Sequence, residues 1–279
     1  MKKWLLIMTI FTLGFLSFQP KHGSAQSGQS ALQQVKNYKI YYSEPTTSIL
    51  KKLRKYDLVV IEPQLYTKEQ VQYLQESGTI VLGYISVMET PTWNEQRTEL
   101  LLESDYFKRN ENKVHYKQWD SYLMDISSEH YHQVLMDEMK RQVSSKGMDG
   151  VFFDTVGNID NEHLEHHASI YKKQLDGLLS FLKKSNQKFP DLLMVQNWGM
   201  ETIQHTHPYM DGFMWEGFDY NEVSTDEWAQ VQINKLKKIQ QMGKTQVLTV
   251  STQSEQKSKN YAKKFNFLHY HDKKSYDVF

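Results

Sequence analysis

Two stretches, MDGVFFDT at residues 148–155 and MDGFMWEG at residues 210–217, share one pattern: Met-Asp-Gly, a short apolar run, then a carboxylate, Asp154 in the first and Glu216 in the second. Apolar runs of this length without polar alternation suit strands of a parallel sheet that is covered on its outer face. An acid at the end of such a run is costly unless the strand stops there, at a surface or a cavity. Similar runs occur at residues 38–43, 57–63, 79–86, 122–127, 192–198 and 246–252. With 150–155 and 212–218 they number eight, the count that closes a (β/α)8 barrel.

Helical stretches fit between the runs. Thr67-Lys68-Glu69-Gln70 opens a helix with a capping box and Gly78 ends it, while residues 129–146 stop at Gly147. Residues 161–188 end before Pro190, and Thr225-Asp226-Glu227 opens a helix that closes at Gly243. Residues 88–120 form a longer insertion. With no repeat and no Gly/Ser or Pro linker, the expected architecture is a single α/β domain, a TIM barrel, over residues 37–279.

The remainder of the chain concerns location. Met1-Lys2-Lys3 is positive, residues 4–18 are almost all apolar, and Gly23-Ser24-Ala25 supplies small residues for cleavage, so residues 1–25 read as a secretory signal peptide and 26–36 as a polar leader. The apolar run falls short of the roughly 20 residues a membrane span needs. A secreted protein, or one on the extracellular face of the membrane, is expected. The 279 residues carry 33 basic and 33 acidic side chains, so no net field argues for nucleic acid, and zero cysteines remove disulfides and thiolate chemistry.

Read at the ends of their runs, Glu62, Ser86, Asp125, Asp154, Asn197, Glu216 and Ser251 form a set. In a parallel barrel such ends converge on the face that carries active sites. Any one of them is equally explained as a cap for the next helix; collecting so many is not. Asp154 and Glu216 are the expected catalytic pair. As the ends of strands five and seven they have the same parity, with backbones about 9–10 Å apart. Two carboxyls so placed suit glycoside cleavage, one protonating the leaving oxygen and the other attacking or activating water, and both the retaining and the inverting separation are compatible with it.

Aromatic residues at strand ends or in the following loops, Tyr41, Tyr84, Trp93, Trp119, Trp198, Trp215 and Tyr220, are candidates for stacking on sugar faces. Trp198 and Trp215 adjoin polar tips and read as pocket walls; Phe152, Phe153, Phe213 and Tyr42 read as core. His163, Glu165, His166 and His167 have helical metal-ligand spacing but read as a solvated face, so neither a metal nor a cofactor is expected. No GxSxG, phosphate loop or dinucleotide fingerprint is present.

The strings VVIEPQLYTKEQVQYLQESGTIVLGYISVME, YLMDIS, GMDGVFFDTVGNID, VQNWG and MDGFMWEGF, in this order, resemble the barrel hydrolases related to endo-α-1,4-polygalactosaminidases, above all the hydrolase domain of Pel exopolysaccharide systems. The resemblance runs from about Tyr38 to about His271. It implies endo-cleavage of α-1,4-linked, partly deacetylated N-acetylgalactosamine polymers in biofilm matrix processing. By position Asp154 and Glu216 match the family's catalytic acids, with Asp154 as nucleophile and Glu216 as general acid/base, and Tyr84, Ser86 and Glu89 line the same cleft. A cationic, galactosamine-rich polysaccharide is the expected partner, drawn to Glu62, Glu89 and Asp125, with Tyr41, Asn197, Trp198, Trp215 and Tyr220 also contacting it. The chain is expected to act as a monomer beside exopolysaccharide synthesis machinery. The competing expectation is a non-catalytic, polysaccharide-binding barrel that assists export.

Overall fold

The computed structural model describes residues 31–164, 167–243 and 245–279. The signal peptide with its cut after Ala25, the leader up to residue 30, and Glu165 and His166 of the histidine-rich segment lie outside the described residues. Eight parallel strands form the central sheet in chain order: β1 Tyr38–Tyr41, β2 Leu58–Ile61, β3 Ile80–Ser86, β4 Gly150–Asp154, β5 Leu193–Asn197, β6 Gly212–Glu216, β7 Gln246–Ser251 and β8 Leu268–His271. They curl into a (β/α)8 barrel. Across the seam between β1 and β8 Lys39 Nζ donates to the Tyr270 hydroxyl at 2.5 Å and the Tyr38 and Tyr270 rings stand 5.6 Å apart, while the Tyr38 hydroxyl donates to the Thr249 carbonyl of β7 at 2.7 Å.

Strand alternation sorts the side chains into two cores. Ile40, Leu58, Val60, Leu82, Phe152, Val195, Met214, Leu248 and Val250 fill the barrel, and Leu32 and Val35 plug its lower end. The leader expected to be polar therefore gives two residues to the core. Val59, Ile61, Val81, Ile85, Val151, Phe153, Phe213 and Val247 point outward, against a sheath of helices. These include α1 Thr47–Leu53, α2 Lys68–Gln75, α3 Glu129–Glu138, α4 Ala168–Lys188, α5 Glu227–Met242 and α6 Glu255–Lys263. Thr67 and Gln70 form the expected capping box of α2, and Asp226 caps α5 by accepting from Ala229 N. After α3 the chain widens into a π turn and then tightens to end at Gly147, whose φ of +73° suits a residue without Cβ.

Two strands differ from expectation. Residues 122–127 do not enter the barrel, since β3 pairs directly with β4, with Ser86 opposite Asp154. Ser121–Leu123 pairs antiparallel with Glu89–Pro91 and with His115–Tyr116, inside the insertion. The eighth strand is β8, whose alternation of Leu268 and Tyr270 with His269 and His271 hides an inward face behind two histidines. Asp154 and Glu216 thus end the fourth and sixth strands, and their shared parity is preserved.

The paired Asp-Gly steps lie at the bottom of the barrel. Asp149 Oδ2 accepts from Val81 N at 2.8 Å and from Gln75 Nε2 at 3.0 Å, while Asp211 Oδ2 accepts from Met194 N at 2.9 Å. Each aspartate satisfies a backbone N–H of the preceding strand where the ladder begins. Gly150 is required beside it, because a Cβ there would press into the Leu193 carbonyl. At the other end the insertion is pinned by a buried ion pair: Arg97 Nε meets Glu138 Oε2 at 2.6 Å, and Arg97 Nη1 donates to the carbonyls of Ser86 at 2.8 Å and Glu89 at 3.1 Å.

Candidate active site

At the mouth, Asp154 and Glu216 are joined through the strand between them. Asp154 Oδ2 accepts from the Tyr84 hydroxyl at 2.7 Å, and its Oδ1 accepts from Asn197 Nδ2 at 2.8 Å. The same amide lies within hydrogen-bonding reach of Glu216, whose Oε1 accepts from the Tyr276 hydroxyl at 2.7 Å. Asn197 is 5% exposed, and its Oδ1 has no partner among the described residues.

Burial pushes the Glu216 carboxyl above its ordinary range and the Asp154 charge adds to this, while hydrogen bonds from Tyr276 and Asn197 pull the other way. Burial and the Asp154 carboxylate together hold the Tyr84 phenol far above its usual value, so it remains a donor. Tyr42 stands edge-on to the rings of Tyr84 at 5.0 Å and Tyr276 at 5.6 Å, lining the mouth between the acids.

Further carboxylates ring this centre. Glu62, just past β2, is raised by burial to about 7, with only part of that offset by its bond from Gln64 N. Glu89 is buried at the start of the insertion, accepts from Asn158 Nδ2 at 2.7 Å and from the Ser121 hydroxyl, and is raised by burial and in smaller part by the Asp154 charge. Asp272, after β8, adds to the field on Glu216. Ser86 is turned into the loop that follows β4, its hydroxyl 3.0 Å from Thr155 Oγ1.

Not every expected residue reaches this cluster. Tyr41 points outward into the helix sheath and packs against Phe279, because the inward parity of β1 belongs to Tyr38, Ile40 and Tyr42. Trp215 is likewise outward, 2% exposed and wedged among Trp198, Phe218 and Trp228. Trp198 follows Asn197 with φ +57° and stands half-buried beside Trp215. Tyr220 packs on Tyr261 of α6. Asp125 binds the Ser127 hydroxyl and backbone, Gln174 Nε2 at 2.7 Å and Lys173 Nζ at 3.1 Å, an anchor for α4 that follows from its strand lying outside the barrel. Ser251 faces away, bonded to His269 and His271. Trp93 and Trp119 are exposed on the insertion, at 56% and 66%. His163 is buried against Phe107, which holds it at about 4, and among the described residues no group of three His, Asp or Glu is placed to hold a metal ion.

Four residues of the cluster escaped the sequence reading: Tyr42, Asn158, Tyr276 and Asp272. Period two along β1 would have found Tyr42. Asn158, Asp272 and Tyr276 lie after strand ends, where no periodicity speaks.

The comparison with curated proteins found no match. Among solved structures, the glycoside hydrolase domain of PelA from Pseudomonas aeruginosa superposes with a TM-score of 0.71 at 17% identity, over 88% of this chain and 97% of that one. Aspergillus fumigatus Ega3, solved in complex with galactosamine, gives 0.62 at 16% identity, over 88% and 94%. A GH36 alpha-galactosidase from Geobacillus stearothermophilus gives 0.56 at 11% identity, over 88% and 40%. These likenesses bear on the fold, which all three share with this barrel. Over residues 20–275, nearly the whole length, the sequence matches the pattern of one family, and the chain belongs to glycoside-hydrolase family GH114.

Proposed function

We propose that this chain is a secreted endo-glycosidase that cleaves α-1,4-linked, partly deacetylated galactosamine polysaccharide with retention, using Asp154 as nucleophile and Glu216 as general acid/base. The observation that carries the reading is two acids ending strands of one parity, each accepting from a buried phenol and both reached by the Asn197 amide, with burial raising Glu216. The reach of one side-chain amide, Asn197, to both acids favours the narrow, retaining arrangement over one with room for water between the acids. Glu216 protonates the glycosidic oxygen as an Asp154 oxygen bonds to the anomeric carbon, which leaves a glycosyl-enzyme ester and a free chain end. Glu216, now ionised, takes a proton from water as that water attacks the anomeric carbon and releases Asp154.

The substrate class is supported by the charge of the mouth. Glu62, Glu89 and Asp272 around two acids attract the ammonium groups of a deacetylated amino sugar. It is supported also by the family and by the likeness to Ega3, a protein solved with galactosamine. The reading of residues 1–25 as a secretory signal supports a location outside the cell, where such a polymer lies. The test is incubation of the chain from residue 26, beside Asp154→Asn and Glu216→Gln, with partly deacetylated α-1,4-galactosaminogalactan and mass spectrometry of the products. Short oligomers from the wild type alone are expected. Binding of the polymer without release by the folded wild type would replace the enzyme with the polysaccharide-binding barrel.

A further inference from the structure

Glu216 receives one of its hydrogen bonds from outside the barrel strands. After β8 the chain turns back, and residues 273–279 run as a strap along the end of β1. Tyr42 N donates to the Tyr276 carbonyl at 2.9 Å, the Ser43 hydroxyl to the Asp277 carbonyl at 2.9 Å, and Lys39 Nζ to the Val278 carbonyl at 3.2 Å. Phe279 seats the strap, its ring 6.0 Å from Tyr41 and 6.2 Å from Tyr56, with Lys52 Nζ 4.7 Å above it. Between these anchors the Tyr276 ring stands edge-on to Tyr42, 82° between planes, and its hydroxyl reaches Glu216 Oε1 at 2.7 Å.

We propose that Tyr276, carried by this strap, is a positioning residue for the general acid/base: it fixes the rotamer of Glu216 and sets the pH at which that carboxyl gives up its proton. The inference rests on the assignment of Glu216 above. Glu216 meets Tyr38 and Tyr42 from β1, Asp154 from β4, Asp272 from β8 and Tyr276 from the strap. Tyr276 and, to a lesser extent, the Asn197 amide from β5 favour its ionised form, and Tyr276 makes the 2.7 Å hydrogen bond. Burial and the adjacent carboxylate push the Tyr276 phenol upward, so it donates throughout the range in which Glu216 titrates. Glu216 is thereby kept from being locked as a neutral acid, which would serve the first step and fail as base in the second.

Tyr276→Phe removes the hydroxyl and keeps the ring. In the full chain, kcat on the polymer is expected to fall about tenfold, with KM little changed. The basic limb of the kcat/KM profile should move up by about one pH unit. Incorporation of 3-fluorotyrosine at position 276, a stronger donor of nearly the same shape, moves that limb down. The Glu216 titration is followed in parallel by carbon NMR of labelled glutamate, assigned with Glu216→Gln, in wild type, Tyr276→Phe and the fluorinated protein. An upward shift in Tyr276→Phe or a downward shift in the fluorinated protein supports the proposal even where no turnover is seen, in which case the enzymatic reading fails and the positioning stands. A Glu216 midpoint and a pH profile unmoved by both changes would overturn it, whatever the activity of the wild type.

Discussion

Where β4 and β6 begin, Asp149 and Asp211 accept from backbone N–H groups of the neighbouring strands, whereas five residues on, where the same strands end, Asp154 and Glu216 accept from a phenol, an amide and a second phenol. Strand and spacing are matched between the two rims and each position carries a carboxylate, but only the bottom pair closes backbone N–H groups of the ladder. A carboxylate whose oxygens close a backbone ladder is part of the scaffold. One whose donors are side chains at the mouth of the barrel is not tied to the ladder, and for Glu216 burial and the Asp154 charge raise its proton affinity. The duplicated motif is thus half structural and half chemical, and the Gly that follows each Asp belongs to the structural half.

The contrast breaks most sharply if the two rims respond alike. Asp154→Asn and Glu216→Gln are each expected to lower kcat by about a thousandfold or more, with the thermal transition within a few degrees of wild type. Residual activity near that of wild type in both would return these acids to the scaffold.

Arg97 sharpens the comparison from the other side, since it lies at the mouth yet serves the main chain. Its guanidinium is 1% exposed and joins Glu138 to the carbonyls of Ser86 and Glu89. Removing one partner of a buried ion pair strands the other charge. Arg97→Ala is therefore expected to cost about 3–5 kcal/mol, read as the urea midpoint, with the insertion losing its hydrogen-exchange protection first. At the bottom rim Asp149→Ala strands Val81 N, and a loss of about 1–3 kcal/mol is expected. KM and kcat should be unchanged there, because Asp149 stands at the opposite end of the barrel from the acids. A fall in activity without a fall in stability would erase the distinction between the rims.

Much of this was legible in the residues. Continuous apolar runs ending on acids gave the parallel barrel and its mouth, because both follow from burial on two faces. The partners of the acids were harder. Asn197 was visible as a strand tip, but Tyr276 reaches Glu216 from a strap 60 positions later, and no local pattern encodes a contact between distant segments. Asp125 misled because YLMDIS looks like a buried strand; its residues pair inside the insertion, and a single chain segment does not announce which sheet it will join. Tyr41 and Trp215 misled by one residue. In a strand that step reverses the face, so an aromatic beside a polar tip looks away from whatever the tip looks into. β8 was missed because His269 and His271 occupy its outer face and break the apolar run.

The smallest effect concerns Glu62, which stands at the mouth like the acids but has a backbone donor, Gln64 N at 3.2 Å, like the bottom aspartates. Burial raises it from 4.5 to about 7. Below the unfolded value both states hold the proton and folding incurs no penalty. As pH rises from 4.5 towards 7 the unfolded chain releases its proton while the folded chain keeps it, so the stability that Glu62 contributes at low pH is lost across that window. Glu62→Gln carries no titrating group and is expected to flatten the window, a gain over wild type at pH 8 of roughly 3 kcal/mol. Urea midpoints of the two proteins at pH 5 and pH 8 measure it. A wild type whose stability is level across this range would mean that Gln64 N and the nearby Arg97 and Lys146 already offset the burial, and that Glu62 belongs with the scaffold carboxylates. A slope that disappears in Glu62→Gln would instead leave Glu62 as an acid that burial keeps protonated at the mouth below about pH 7, ready to ionise when a cation comes to rest against it.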